Sequence, residues 1–61
     1  MEGSELHRQR VSKLLTCGEL ALLSGVPEVM IENYESGYIK PDKKTLEELI
    51  EALKNWRGMD D

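Results

Sequence analysis

The sequence is poorest in the residues that would hold so short a chain together covalently or through a metal. Cys17 has no second cysteine to pair with and His7 no second histidine beside it. That removes a disulfide framework and a structural zinc as sources of stability. The longest apolar run, 20–23, is far too short to span a bilayer. With a lone thiol and no leader-like segment, the chain reads as soluble and cytoplasmic, with no membrane partner. No stretch alternates polar and apolar residues as a strand would, and there are no internal repeats. A phosphate loop, a nucleophile–base pair and paired carboxylates at pocket-like spacing are also missing, and short helices leave little room for a cleft. The reading is a non-enzyme, with no catalytic residue, no metal ligand and no cofactor.

A chain of 61 residues allows one domain, 1–61, and hides only about 60% of the surface its unfolded form exposes. What it does contain is a strongly punctuated stretch, 16–37, TCGELALLSGVPEVMIENYESG. Thr16 followed three residues later by Glu19 has the spacing of a capping box, which pairs backbone N–H groups that a first helical turn leaves open. Ser24-Gly25 is a stop signal, since glycine takes the left-handed conformation common at helix ends. Pro27 suits the first turn of a new helix, where its missing N–H has no partner to lose. That helix turns Met30, Ile31 and Tyr34 inward and stops at Ser36-Gly37. Two helices joined by so short a connector outline a helix-turn-helix.

Around this unit the spacing predicts a helix over about 5–15, with Ser4 as cap and Leu6, Val11, Leu14 and Leu15 as its apolar positions. The unit itself supplies helices at about 17–24 and 27–35. Lys40 precedes Pro41 and so leaves helical geometry, which makes 37–41 a connector. Asp42 caps a last helix, about 43–54, in which Leu46, Leu49, Ile50 and Leu53 repeat as one apolar stripe. Met1 to Ser4 reads as a loose end, Trp56 either continues the helix or folds back, and 57–61 reads as a fraying tail.

Twelve acidic residues against eight basic ones give a net charge of −4. The total argues against a nucleic-acid partner, because Lys and Arg drive phosphate binding by releasing counterions. The distribution argues the other way. Arg8, Arg10 and Lys13 outweigh Glu2 and Glu5 before the unit, and Lys40, Lys43 and Lys44 outweigh Asp42 after it. The acids gather in 28–35, as Glu28, Glu32 and Glu35, and toward the end of the chain.

Leu15-Thr16, Glu19-Leu20-Ala21, Ser24-Gly25-Val26, Ile31, Tyr34-Glu35-Ser36-Gly37, Pro41, Thr45-Leu46 and the Leu49 to Leu53 run together resemble the Cro/phage-repressor type of helix-turn-helix family, also called the xenobiotic-response-element type. The resemblance implies an all-α, lambda-repressor-like bundle of four helices, with a fifth left open. It also implies binding to double-stranded DNA, usually as a homodimer, with helix 27–35 in the major groove. By family position, Pro27, Glu28, Val29, Met30, Glu32 and Asn33 lie near DNA, and Glu28, Val29 and Asn33 meet base edges. Thr16, Cys17, Ser36 and Lys40 approach phosphates. Four features depart from the family pattern. Cys17 replaces the common glutamine whose amide clamps a phosphate, and Gly18 costs the second helix roughly 1 kcal/mol in propensity relative to alanine. Gln9 sits where an apolar core residue is usual, and only eight residues follow Leu53, where many relatives have a fifth helix that builds the dimer contact.

The residue types suit these roles. Asn33 has the donor–acceptor pair that matches adenine, Glu28 accepts from a cytosine amino group, and Val29 packs on a thymine methyl. Tyr38, Lys43 and Lys44 add to the phosphate-facing set. Glu35 reads as structural, paired with Arg10. Cys17 at a helix start has the setting in which thiol pKa falls, as a redox switch needs, although a small structural residue is the simpler account. His7 has no carboxylate at catalytic spacing in the sequence and is assigned no chemistry. The resulting expectation is a sequence-specific DNA-binding transcriptional regulator of repressor or antitoxin type. The alternative is a protein-interaction module, an antirepressor or the partner of a larger regulator, that keeps the fold without binding DNA.

Overall fold

The structure is a computed structural model and describes residues 2–56. It contains four helices: α1 Gly3–Ser12, α2 Cys17–Ser24, α3 Glu28–Ser36 and α4 Lys43–Asn55. No strand occurs among the described residues. The fold is an all-α helix-turn-helix bundle in which α1 packs on α3, α3 on α2, and α2 on α4. Leu6, Leu15, Leu20, Val26, Ile31, Tyr34, Leu49 and Leu53 form the buried core, drawn from every helix and from both short turns of the first three.

Local chemistry sets most of the boundaries. The Thr16 hydroxyl accepts from Glu19 N at 3.1 Å while Thr16 N donates to the Glu19 carboxylate at 2.8 Å. This reciprocal pair starts α2. Gly25, at φ 79°, ends α2 through one bond from its N–H to Ala21 O. Gly37, at φ 83°, ends α3 with bonds from Gly37 N to Tyr34 O and from Tyr38 N to Asn33 O, the Schellman pattern. Asp42 Oδ1 accepts from Thr45 N at 3.1 Å and starts α4. These bonds hold the Asp42 carboxyl below the usual range.

Several expectations need correction. Pro27 occupies the cap position just before α3 and not its first turn; its carbonyl accepts from Met30 N and Ile31 N. Helix α1 begins at Gly3, so Glu2 to Ser4 are not a loose end, and neither Ser4 nor the Glu2 cap position supplies a side-chain cap bond. A Cβ at Gly3 would collide with the backbone carbonyl of Tyr34 and press on that of Glu35. Glycine is therefore what lets α1 approach the end of α3.

The other end of α1 also differs, stopping at Ser12 and not at 15. Leu14 adopts φ 60°, a left-handed geometry that costs a branched residue roughly 1–2 kcal/mol. The turn projects Leu14 into solvent, 88% exposed, and drops Leu15 into the core. Val11, too, faces outward. In α4 the stripe is narrower than its sequence suggests: Leu49 and Leu53 are buried, Leu46 is half-buried, and Ile50 is 38% exposed. Trp56 folds back, with Nε1 donating to Lys13 O at 3.3 Å. The fraying expected over 57–61 lies outside the described residues.

Candidate nucleic-acid interface

Helix α3 has two distinct faces. Ile31 and Tyr34 are buried and Met30 packs against the core at half burial. Met30 is thus part of the support of the helix more than of its outer surface. Glu28, Val29, Glu32 and Ser36 face outward, Val29 with 60% of its surface exposed. Asn33 is half-buried at the edge of that face. Its backbone carbonyl accepts from Ser36 Oγ, Tyr38 N and Ile39 N, so the bonds at this end of α3 leave the Asn33 side-chain amide out.

The orientation of α3 is set by a charged cluster. Arg10 Nε donates to Glu35 Oε2 at 2.7 Å and Nη2 to Oε1 at 2.9 Å, while Nη1 donates to Leu15 O at 2.7 Å. One guanidinium thus ties α1 both to α3 and to the turn leading into α2. His7 completes the cluster: its Nδ1 lies 2.9 Å from Glu35 Oε1 and 3.0 Å from Arg10 Nη2. With a proton on Nδ1 the ring donates to Glu35; without one it accepts from Arg10. The expectation that His7 lacks a carboxylate partner is therefore wrong, because Glu35 is remote in sequence and adjacent in space. No local pattern could have indicated it; only the pairing of α1 with α3 does.

Burial alone would raise the Glu35 pKa, but the hydrogen bonds from Arg10 and His7, with their charges, outweigh it. The carboxyl is held below its ordinary range. The same pairing raises Arg10 further above its already high value. Cys17 shifts against the expectation for a reactive thiol at a helix start. Desolvation comes first and the Glu35 carboxylate second, and together they push the thiol up despite Arg10. A raised pKa keeps Cys17 protonated, which suits a packed residue and not a redox switch.

The outer carboxylates are a different case. Ion pairs among the described residues are confined to Glu35, so Glu28 and Glu32 remain unpaired. Glu28 lies in the first turn of α3 and beside Gly18 of α2. There it offsets the positive end of the helix dipole that would otherwise attract phosphate. No lysine or arginine lies in α3.

The remaining phosphate candidates are spread over the molecule. Thr16 has its N–H and hydroxyl engaged in the capping box. Ser36 and the 80%-exposed Tyr38 sit together at the end of α3. Lys40 borders a hollow with Tyr34 and Gly37, also at that end. Lys43 opens α4 and faces solvent. Lys44 points elsewhere, lining a groove between α2 and α4 beside Glu47 and Glu48. The structure thus gathers Ser36, Tyr38 and Lys40 near the end of α3 and separates Lys44 from them.

A family model described as helix-turn-helix, of the Cro/C1 type, matches residues 6–55. The chain belongs to this family. Its members are DNA-binding regulators, and the matched span contains all of α2, α3 and α4 and most of α1. No curated protein and no solved structure matches the chain. No helix among the described residues is long and apolar enough to cross a membrane, and no group of side chains there could hold a metal ion.

Proposed function

We propose that the protein is a sequence-specific double-stranded-DNA-binding transcriptional regulator of repressor or antitoxin type, acting from the cytoplasm with α3 in the major groove. The observation that carries this reading is the division of α3. Ile31, Tyr34 and the Arg10–Glu35 pair hold one side rigidly, and Glu28, Val29 and Asn33 are left at or near the outer side.

In this reading Asn33 makes the bidentate contact to adenine, Glu28 accepts from a cytosine amino group and Val29 covers a thymine methyl. Pro27, Met30 and Glu32 lie close by without reading bases. Thr16, Cys17, Ser36, Tyr38, Lys40, Lys43 and Lys44 form the phosphate-facing set, of which Ser36, Tyr38 and Lys40 are grouped best. A homodimer would present two copies of α3 about 34 Å apart, on successive turns of one groove.

Selection from a random duplex library with the purified protein tests all of this. A palindromic site should be enriched, and binding to it should weaken steeply with salt. Failure to enrich any duplex at low salt would overturn the proposal. On the selected site, Asn33→Ala should cost roughly 1–3 kcal/mol and relax selectivity at one base pair.

The unpaired Glu28 and Glu32, on a helix without a basic residue, favour a second reading: a protein-interaction module whose α3 meets a basic surface of a larger regulator. Amide chemical-shift mapping with duplex DNA separates the two. Shifts over 16–44 support DNA binding, and shifts confined to other residues support the alternative.

A further inference from the structure

The groove between α2 and α4 is not used by the DNA-binding reading, apart from Lys44 at its edge. It has a volume of about 500 Å³. Leu23, Ala52 and Trp56 supply its apolar surface, and among the described residues Glu47, Glu48 and Glu51 stand along it against Lys44. The spacing of the three carboxylates, i, i+1 and i+4, keeps them along one side of α4. Helix α2 is more apolar than its packing requires. Leu20 is fully buried, yet Leu22 and Leu23 are 87% and 45% exposed. A helix apolar on several faces is ordinarily covered on several faces, and Leu23 carries part of this exposed apolar surface into the groove.

Charge selects the occupant. A polyanion such as DNA is repelled by three carboxylates that no cation pairs with among the described residues. An apolar segment carrying lysine or arginine is attracted by them and covered by Leu23 and Trp56. We propose that the α2–α4 groove docks a cationic amphipathic helix of a partner protein. Its aliphatic side chains seat on Leu23, Ala52 and Trp56, and its basic side chains reach Glu47, Glu48 and Glu51. This surface is distinct from α3, so docking there leaves the outer face of α3 open and gives the regulator a means of recruitment that does not compete with DNA.

Trp56 is the chain's one tryptophan and lines the groove, so its fluorescence reports occupancy directly. The test titrates the full chain with a tryptophan-free synthetic peptide that has leucines at i, i+3, i+4 and i+7 and lysines between them. A saturable one-to-one shift of Trp56 emission is expected. It should persist in Glu28→Gln/Glu32→Gln and weaken at least tenfold in Glu48→Lys/Glu51→Lys, whose exposed substitutions should leave circular dichroism and melting intact. Four results would each overturn the proposal: no saturable shift, equal affinity in the Glu48→Lys/Glu51→Lys variant, loss of binding in the α3 variant, or the same shift on concentrating the protein without peptide. The last would mean that a second copy of the chain fills the groove.

Discussion

The two outer seams of the bundle are built differently. Where α1 meets α3, the contact runs through a glycine set against backbone carbonyls and a bidentate ion pair extended by His7. Where α2 meets α4, the contact is aliphatic, centred on Leu20, Leu49 and Leu53, and it opens outward into an acid-lined groove. Directional bonds hold one orientation, whereas apolar burial contributes free energy without prescribing an angle. The first seam therefore positions α3, and the second supplies stability and leaves surface to spare.

The comparison can be broken most severely at the apolar seam. Leu49→Ala should destabilise the protein by about 2–5 kcal/mol, enough to unfold much of a domain with so small a core. Urea denaturation followed by circular dichroism measures it. If the loss were below about 1 kcal/mol, the α2–α4 seam would not be the main source of stability.

At the α1–α3 seam, Arg10→Met should cost roughly 2–3 kcal/mol, because charge-assisted hydrogen bonds are lost and Glu35 remains as a half-buried charge. The pH dependence sharpens this prediction. The Glu35 pKa is depressed in the folded protein, so the unfolded chain binds the proton more readily. The pair's contribution is fully present above the ordinary glutamate range, near 4.3. It is lost as pH falls through the depressed folded value. Melting curves between neutral and acid pH should show Glu35→Gln with a shallower acid limb than the parent. An unchanged slope would remove Glu35 from the acid transition.

Gly3→Ala tests the close approach itself. The added methyl meets backbone and not a yielding side chain, so α1 must move away from α3 at a cost of about 1–3 kcal/mol. Its expected signature is a change in the Arg10 and Glu35 side-chain resonances along with a lower Tm. The smallest expected effect is at Leu14, whose exposed side chain loses almost no burial. Leu14→Gly should relieve the left-handed strain and raise stability by roughly 0.5 kcal/mol, once the freer unfolded chain is set against it. A fall in Tm would show that Leu14 is covered in solution.

The sequence by itself determined the motif, because the devices that delimit it are local. Thr16 and Glu19, Asp42 and Thr45, and the glycines at 25 and 37 act on backbone groups within a turn of themselves, so their spacing could be read directly. The Arg10–Glu35 pair was legible at the level of charge and family pattern. Its bidentate form and the arrival of His7 were not.

Only the tertiary structure decided how α1 is set. Gly3 meets carbonyls of residues more than thirty positions away, Leu14 turns outward so that Leu15 can enter the core, and Trp56 reaches back to Lys13. Periodicity also placed Ile50 in the stripe of α4 and could not show that it lies at the edge of the buried face, 38% exposed. The physical reason is common to all four. Capping and helix-ending energies depend on the adjacent turn, whereas close approach, strain and burial depend on which surface the rest of the chain brings there.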